Sequence, residues 1–154
     1  MGNTVYEKIK KFCEDNGISY KEIKHSPGAS AEDYHNALGC RYEQQLKCLL
    51  LKIYTETEYF AILTIPAQKR ADLEAIKTLI SAKKIRMATK EELKEITGCN
   101  FGELPPIGSI FQIRLIMDRD FLNETETYLN AGKVDVSFVI NPTDLQKAEN
   151  PVIV

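Results

Sequence analysis

The chain contains no tryptophan, two histidines and four cysteines among its 154 residues. The cysteines lack close pairing and Cys-x-x-Cys spacing, which predicts reduced thiols and no metal site in a cytoplasmic protein. The longest strongly apolar run, residues 60–65, is far shorter than the roughly 20 residues that cross a bilayer. We do not expect residues 1–6 to form a signal peptide, because a lysine-rich and acidic helix pattern follows at once. We therefore expect no membrane association.

Several catalytic and binding motifs are also absent. No Gly-x-x-x-x-Gly-Lys-Ser/Thr phosphate loop occurs, and no Ser/His/Asp arrangement supports a covalent hydrolase. His25 and His35 stand ten residues apart without a nearby cysteine or aspartate cluster, so the spacing favours structural histidines over metal ligands. The sequence predicts no cofactor.

The composition is that of one folded domain, expected to span residues 1–154. Apolar residues make up 44% of the chain, charged residues 27%, and the net charge is −2. The charge is uneven, because residues 69–90 hold seven basic and two acidic side chains. This basic segment could contact a phosphate backbone, but charge alone favours a solvated helix face.

Hydrophobic periodicity predicts a mixed α/β (α+β) fold. Apolar residues at helical spacing and capping residues such as Ser30, Asp72 and Thr89 predict five helices. Alternating patterns predict strands at 18–25, 45–54, 58–65, 114–118, 125–130 and 134–140. Because strands and helices do not alternate regularly, we expect a single compact domain with a mixed, largely antiparallel sheet or barrel flanked by helices.

Lys47 is the most informative single residue. On the strand predicted at 45–54 it shares a face with Leu49 and Leu51, while Cys48 points the other way. A lysine on such a strand either extends to an edge or lies in a pocket wall, where its ammonium can bind a phosphate or an oxyanion. Composition alone favours the edge.

A loop rich in glycine and proline, residues 99–108, is the second candidate. Gly102 and Gly108 permit positive φ and close approach of a ligand, and Pro105–Pro106 stiffens the segment between them. The sequence is compatible with a ligand-binding loop and with an ordinary connection between a helix and a strand.

Cys48 lacks an evident activating base, which argues against a catalytic thiol. Asp118, at a strand end, fits a cap or a site residue equally.

Taken in order, several segments resemble one family. They are Ile18-Ser-Tyr20 with His25, Leu46-Lys-Cys-Leu-Leu50, Ala82-Lys-Lys-Ile-Arg-Met-Ala-Thr89, Glu91-Glu-Leu, Thr97-Gly98, Gly102 and Pro106-Ile-Gly108. Together they resemble the YbaK/EbsC and prolyl-tRNA-synthetase editing-domain family of aminoacyl-tRNA deacylases. The resemblance runs from about residue 5 to residue 145. It implies trans-editing, the hydrolysis of the ester that joins a wrong amino acid to the 3′ end of a tRNA.

The resemblance also implies roles for particular residues. The family's key lysine falls on Lys47, which would hold the phosphate or ester region of the terminal adenosine, and Gly108 is the second catalytic position. The remaining residues are expected to bind substrate. They are Tyr20, His25, Cys48, Gly102, Pro106, Ile107, Asp118, Asn130, Ala131 and Gly132. Expected partners are the aminoacylated 3′ end of tRNA and an aminoacyl-tRNA synthetase, without membrane or metal.

Two departures from the family pattern concern the amino acid removed. Cys48 stands where threonine or asparagine often follows the lysine, and Ala131 replaces a glycine, which would add a methyl group to the pocket wall. One methyl group discriminates about 10–200-fold in a tight pocket. The alternative hypothesis is a non-catalytic module of the same fold that binds tRNA or a synthetase.

Overall fold

Two β-sheets form the framework of the protein in a computed structural model, which describes residues 4–28 and 30–154. The helices are α1 Val5–Asp15, α2 Ala31–Leu38, α3 Leu73–Leu79, α4 Lys90–Thr97 and α5 Pro142–Glu149. The strands are β1 Tyr20–Lys24, β2 Leu46–Tyr54, β3 Glu58–Pro66, β4 Lys84–Met87, β5 Arg114–Met117, β6 Thr127–Lys133, β7 Val136–Ile140 and β8 Val152–Ile153. The expectation about residues 1–6 lies partly outside the described residues.

The sheets differ in strand direction. The three-stranded sheet, in the order β1-β7-β6, is antiparallel. The five-stranded sheet, in the order β4-β2-β3-β5-β8, is antiparallel through β3 and parallel from β3 to β8. An isolated bridge between Gln45 and Tyr128 connects the two sheets. The predicted mixed α+β fold is confirmed, and the described strands form two open sheets instead of a closed barrel.

The main core lies between the two sheets. Leu50 and Ile62 of the larger sheet meet Leu129 and Phe138 of the smaller one, and Ile9 of α1 joins the same cluster. A second cluster on the outer face of the larger sheet packs against α3. Each fully buried leucine or isoleucine contributes about 1.5–3 kcal/mol. Both faces of β2 and β3 are thereby covered.

The alternation of β2 places its side chains as the sequence predicts. Leu46, Cys48 and Leu50 face the main core, while Leu49 and Leu51 face the outer cluster. Lys47 lies on the outer side near the start of β2, where the outer cluster has ended, and its side chain is exposed. The register pairs Lys47 with Ile65 of β3.

Most helix ends follow the predicted capping residues. Ser30 and Thr89 each complete a capping box, and glycines in the left-handed conformation end α2 and α4. Helix α5 begins before the predicted helix, which the sequence places at residues 144–148 behind a cap at Thr143. Its cap is Asn141, whose side chain accepts from the Thr143 N–H at 2.9 Å, because Pro142 fits the first helical position and starts the helix earlier.

Three further details differ from the sequence predictions. Strand β4 lies outside every predicted strand, and it pairs with β2 along only four residues. Strand β6 extends to Lys133 through an irregularity at residues 130–133, where the predicted strand ends at residue 130. The sequence places Leu79 with Leu73, Ile76 and Ile80 on one apolar helix face, but Leu79 is the last residue of α3 and is 58% exposed.

Candidate active site

A cavity of about 250 Å³ opens where the two sheets meet. Its wall is formed by the first turn of α2, the start of β2, the loop of residues 99–107, and Asn130 of β6. Of the predicted site residues, the structure brings four together here: Lys47, Cys48, Gly102 and Asn130.

Lys47 is the single charged residue among the described residues that line this cavity. Its side chain has neither a hydrogen bond nor an ion pair with any described residue. An ammonium group without an internal partner is available to an anionic ligand, and a phosphate or a developing oxyanion suits it. Lys47 therefore combines the two alternatives. Its side chain is exposed near the start of β2, and it also forms part of the cavity wall.

Cys48 is adjacent to Lys47 but its thiol faces inward. The Sγ atom lies 3.7 Å from the Thr64 hydroxyl, which is fully buried. Burial raises the pKa of the Cys48 thiol to about 12, because a thiolate would lose its hydration there. The thiol stays protonated at neutral pH, and neither described histidine forms a hydrogen bond with it.

The loop presents its first half to the cavity. Gly102 has φ +85°, and an added Cβ atom there would meet nothing within 4 Å, so conformation and not space favours glycine. The Gly102 carbonyl accepts a hydrogen bond from the Asn130 side chain. This bond connects the loop to β6 across the cavity.

The second half of the loop is buried. Pro106 and Ile107 pack inside, and Ile107 is fully buried in the main core. Gly108 does not have positive φ. A Cβ atom on Gly108 would lie 2.2 Å from the Ile113 carbonyl oxygen, so this glycine is required by close packing against the start of β5. None of these three residues lines the cavity.

The segment after Asn130 also faces away from the cavity. Ala131 is fully buried in the main core, so its methyl group does not lie in the cavity wall. Gly132 has φ +78°, and a Cβ atom there would lie 2.8 Å from Val5 of α1. Both residues therefore fix the packing of β6 and α1.

Tyr20 and His25 lie outside the cavity lining. The Tyr20 ring packs edge-on against Phe138 at 5.0 Å between centroids. His25 donates from Nδ1 to the Ser26 carbonyl at 2.8 Å, which leaves Nε2 to accept from the buried Ser137 hydroxyl at 2.8 Å. The His25 ring also packs edge-on against Tyr34, which does line the cavity. His25 thus supports the wall from behind.

Asp118 acts as a cap in this structure. Its side chain accepts from the Asp120 N–H at 2.8 Å and begins a short 3₁₀ helix, Arg119–Asn123. The Lys69 ammonium also donates to Asp118 at 3.0 Å. Hydrogen bonding to Asp120 and Asp118 raises the pKa of Lys69. Asp118 is not part of the cavity lining.

Nine of the thirteen cavity-lining residues are absent from the sequence-based candidates, and Tyr34, Gln45 and Phe101 are the largest polar and aromatic side chains among them. Tyr34 donates to the Gly28 carbonyl at 3.0 Å, and burial raises the pKa of its phenol. Gln45 donates to the Ala31 carbonyl at 3.0 Å. Phe101 is 64% exposed. Only Phe101, an aromatic residue within a loop of glycine and proline, had a local signal.

The model of the aminoacyl-tRNA editing domain family matches residues 25–148, most of the chain. The chain belongs to this family. The match covers every cavity-lining residue, and it confirms the family resemblance and the predicted activity class, an aminoacyl-tRNA deacylase.

Curated relatives of this editing domain include free-standing and multidomain proteins. The chain is 24% identical to the multifunctional Ser/Thr-tRNA deacylase ProXp-y of Escherichia coli (strain K12), covering 99% of the chain and 93% of the relative. It is 28% identical to a proline–tRNA ligase of Geobacillus sp. (strain WCH70), covering 75% of the chain and 19% of the ligase. The family thus occurs alone and as part of a synthetase.

Solved structures share the editing-domain fold. The crystal structure of hypothetical protein APE2540 superposes with a TM-score of 0.85 at 22% identity, covering 95% of this chain and 96% of that one. A proposed trans-editing enzyme for prolyl tRNA synthetase superposes with a TM-score of 0.83 at 22% identity, covering 100% and 97%.

Two further findings concern metal ions and membranes. Among residues 4–28 and 30–154, no group of three or more histidine, cysteine or acidic side chains has the arrangement of a metal site. Within the same residues, no helix is both long and apolar enough to cross a membrane.

Proposed function

We propose that this editing domain hydrolyses the ester of a mischarged tRNA in the cavity beside Lys47. The observation that carries the proposal is the charge of the cavity: its described lining holds one cation without an internal partner and no carboxylate. Such a lining attracts the phosphate and ester oxygens of an aminoacylated 3′ end and places no negative charge against them.

Lys47 binds and orients the substrate in this proposal. A strand position paired with Ile65 fixes its backbone, so the side chain leaves the sheet from a defined point in the cavity wall. An ammonium near the ester stabilises the negative charge that develops on the carbonyl oxygen during attack by water. Because this charge is greatest in the transition state, loss of Lys47 lowers kcat.

The attacking water needs no strong base in this site. An aminoacyl ester is already activated, so orientation of water by neutral groups can supply much of the rate. Neutral polar side chains of Ser30, Tyr34, Gln45 and Asn130 line the cavity and can orient a water or the amino acid. The Cys48 thiol is protonated and serves as part of the wall.

The predicted residues outside the cavity lining are proposed to position it. Pro106, Ile107 and Gly108 anchor the loop that carries Gly102, and Ala131 and Gly132 hold β6, which carries Asn130. His25 supports Tyr34. Tyr20 packs against Phe138 and Asp118 begins a 3₁₀ helix, so we assign them roles in packing and capping.

The proposed partner is a tRNA with a wrong amino acid, edited in the cytoplasm by the chain as a separate protein or beside a synthetase. Because one relative is named a Ser/Thr-tRNA deacylase, seryl- and threonyl-tRNA are the first substrates to test. Alanyl-, cysteinyl- and prolyl-tRNA complete the panel, each on matched and mismatched tRNAs.

The decisive experiment compares amino acid release by the wild type, Lys47→Ala and Lys24→Ala. Lys24 is a matched control, because it is also an exposed strand lysine without an ion pair to any described residue. We expect selective release by the wild type and by Lys24→Ala, and a loss of at least about 100-fold for Lys47→Ala, in the range found when an oxyanion-stabilising group is removed. Unchanged turnover by Lys47→Ala would refute the proposed site. No release from any substrate by the folded wild type, with tRNA still bound, would favour the binding-module alternative.

A further inference from the structure

Phe101 is a large apolar side chain left outside the core. Its side chain is 64% exposed, whereas Cys99 and Leu104 in the same loop are 2% and 4% exposed. Phe101 also lines the cavity that contains Lys47 and a smaller recess beside it. The ring therefore stands at the cavity mouth with much of its surface in water.

The loop holds Phe101 in this exposed place by a defined turn. The Glu103 N–H donates to the Asn100 carbonyl at 3.1 Å, and the Glu103 carboxylate accepts from the Asn100 N–H at 2.8 Å. Gly102 follows Phe101 with φ +85°, as the third residue of a type II turn requires. Asn130 holds the Gly102 carbonyl. The aromatic ring is therefore presented on a fixed backbone and not on a loose loop.

The cavity mouth combines an exposed aromatic face with an unpaired ammonium. Unstacked bases pack on aromatic rings, while cationic groups hold the adjacent phosphates. A single-stranded nucleotide carries both of these groups a few ångströms apart. An apolar amino acid side chain would use Phe101 but would leave Lys47 without a partner.

We propose that Phe101 is the stacking platform for the base of the 3′-terminal nucleotide, while Lys47 holds its phosphate or ester region. The inference rests on the proposed function and adds a positioning residue to it. The base would be bound by stacking on its face, so the ring serves binding and leaves the chemical step to the cavity.

Kinetics of amino acid release test this role. Stacking acts equally in the ground state and in the transition state, so Phe101→Ala raises KM about 5- to 150-fold and leaves kcat within about two-fold. Phe101→Tyr keeps the wild-type KM, whereas Phe101→Leu, which is apolar without a ring, resembles Phe101→Ala. Leu79→Ala removes another exposed apolar side chain, away from the cavity, and serves as the control. A wild-type KM for Phe101→Ala and Phe101→Leu would overturn the proposal.

A binding measurement tests the stacking without turnover. The chain contains no tryptophan, so Phe101→Trp introduces a single tryptophan at the cavity mouth, which can be excited apart from the seven tyrosines. Uncharged tRNA should quench the emission of Phe101→Trp, and tRNA lacking its 3′-terminal adenosine should not. Leu79→Trp should respond to neither. Equal quenching by intact and shortened tRNA, or none, would overturn the proposal.

The two measurements separate this inference from the proposed function. If the wild type releases amino acid but Phe101→Trp shows no quenching that depends on the terminal adenosine, the stacking fails and the deacylase stands. If the wild type releases none but that quenching is present, the deacylase fails and the stacking is supported.

Discussion

At the scale of single residues, Cys48 shows how burial decides chemistry. The thiol adjoins the key lysine along the chain, and such a neighbour would lower the pKa of an exposed thiol. The side chain instead faces Thr64 in the main core, and burial raises its pKa to about 12. Thiolate is therefore scarce at any pH where a tRNA ester is stable.

The first prediction follows for Cys48→Ser, which keeps the shape of the side chain. We expect its rate of amino acid release to stay within about five-fold of the wild type, and the wild-type rate to show no inflection from a thiol between pH 6 and pH 9. A loss above about 1,000-fold would identify Cys48 as a nucleophile. The measurement is single-turnover release at several pH values.

Glycine positions in the loop give a second residue-scale prediction. Gly102→Ala meets no atom within 4 Å but forces a side chain to φ +85°, which costs about 1–2 kcal/mol. Gly108→Ala brings a Cβ atom to 2.2 Å from the Ile113 carbonyl oxygen, which cannot rotate away, so we expect a cost of about 3 kcal/mol or more. Urea unfolding measures both. Equal stability losses would contradict the packing assigned to Gly108.

At the scale of helices and strands, the sequence predicted those elements whose stabilising contacts lie close together along the chain. The Thr89 and Glu92 pair predicts the start of α4 because both hydrogen bonds of a capping box lie within four residues. Strand β4 escaped prediction because four residues are too few for a periodic pattern, and its pairing with β2 is a long-range contact. The parallel pairing of β3 and β5 likewise depends on a distant segment.

The ion pair between Arg86 of β4 and Glu92 of α4 gives the third prediction. Both Arg86 terminal nitrogens donate to the carboxylate, at 2.7 and 2.9 Å, and Thr89 N–H donates as well. The Arg86 and Thr89 hydrogen bonds lower the pKa of Glu92 to about 2. Because this folded pKa lies below the unfolded value of about 4.3, the pair stabilises the fold above that value and loses its effect as pH falls toward 2.

We therefore expect Glu92→Gln to lower the free energy of unfolding at pH 7, with the deficit shrinking between pH 5 and pH 2. Denaturant unfolding at pH 7, 4 and 2.5 measures it. Glu91→Gln, at an exposed neighbouring position on the same helix turn, is the control and should show no such convergence. A loss of stability of the same size at every pH would show that the carboxylate charge of Glu92 does not stabilise the contact between β4 and α4.

At the scale of the whole molecule, the cavity is a tertiary feature that the sequence could only partly predict. Lys47 and Gly102 could be predicted from the sequence because each departs from its local pattern. Lys47 is a lysine in an apolar strand, and Gly102 is a glycine in a loop stiffened by proline. Tyr34 and Gln45 belong to ordinary helical and strand patterns, and only the meeting of the two sheets makes them neighbours. Gly108 and Ala131 were placed at the site by resemblance, whereas their burial assigns them to packing.

The fold pairs part of the positive charge of the basic segment 69–90 with acidic side chains. Four cations of the basic segment 69–90 are bound by acidic side chains: Lys69, Lys77, Lys83 and Arg86. The other three, Arg70, Lys84 and Lys90, are exposed and make no ion pair with a described residue, although Lys84 lies over the Tyr54 ring. The segment therefore offers far fewer free charges than its composition suggests.

This difference gives the last prediction, which concerns tRNA binding. Lys47 and the three unpaired cations would neutralise about four phosphates, so log K should fall with log salt concentration with a slope of about −3 to −4. If all seven basic residues and Lys47 took part, the slope would be about −6 to −7. Lys90→Ala should reduce the slope by about 1, whereas Lys83→Ala, whose ammonium pairs with Glu56 at 3.1 Å, should leave it unchanged. Equal effects of these two substitutions would mean that tRNA breaks the internal ion pairs, because a salt titration counts only the charges that bind phosphate.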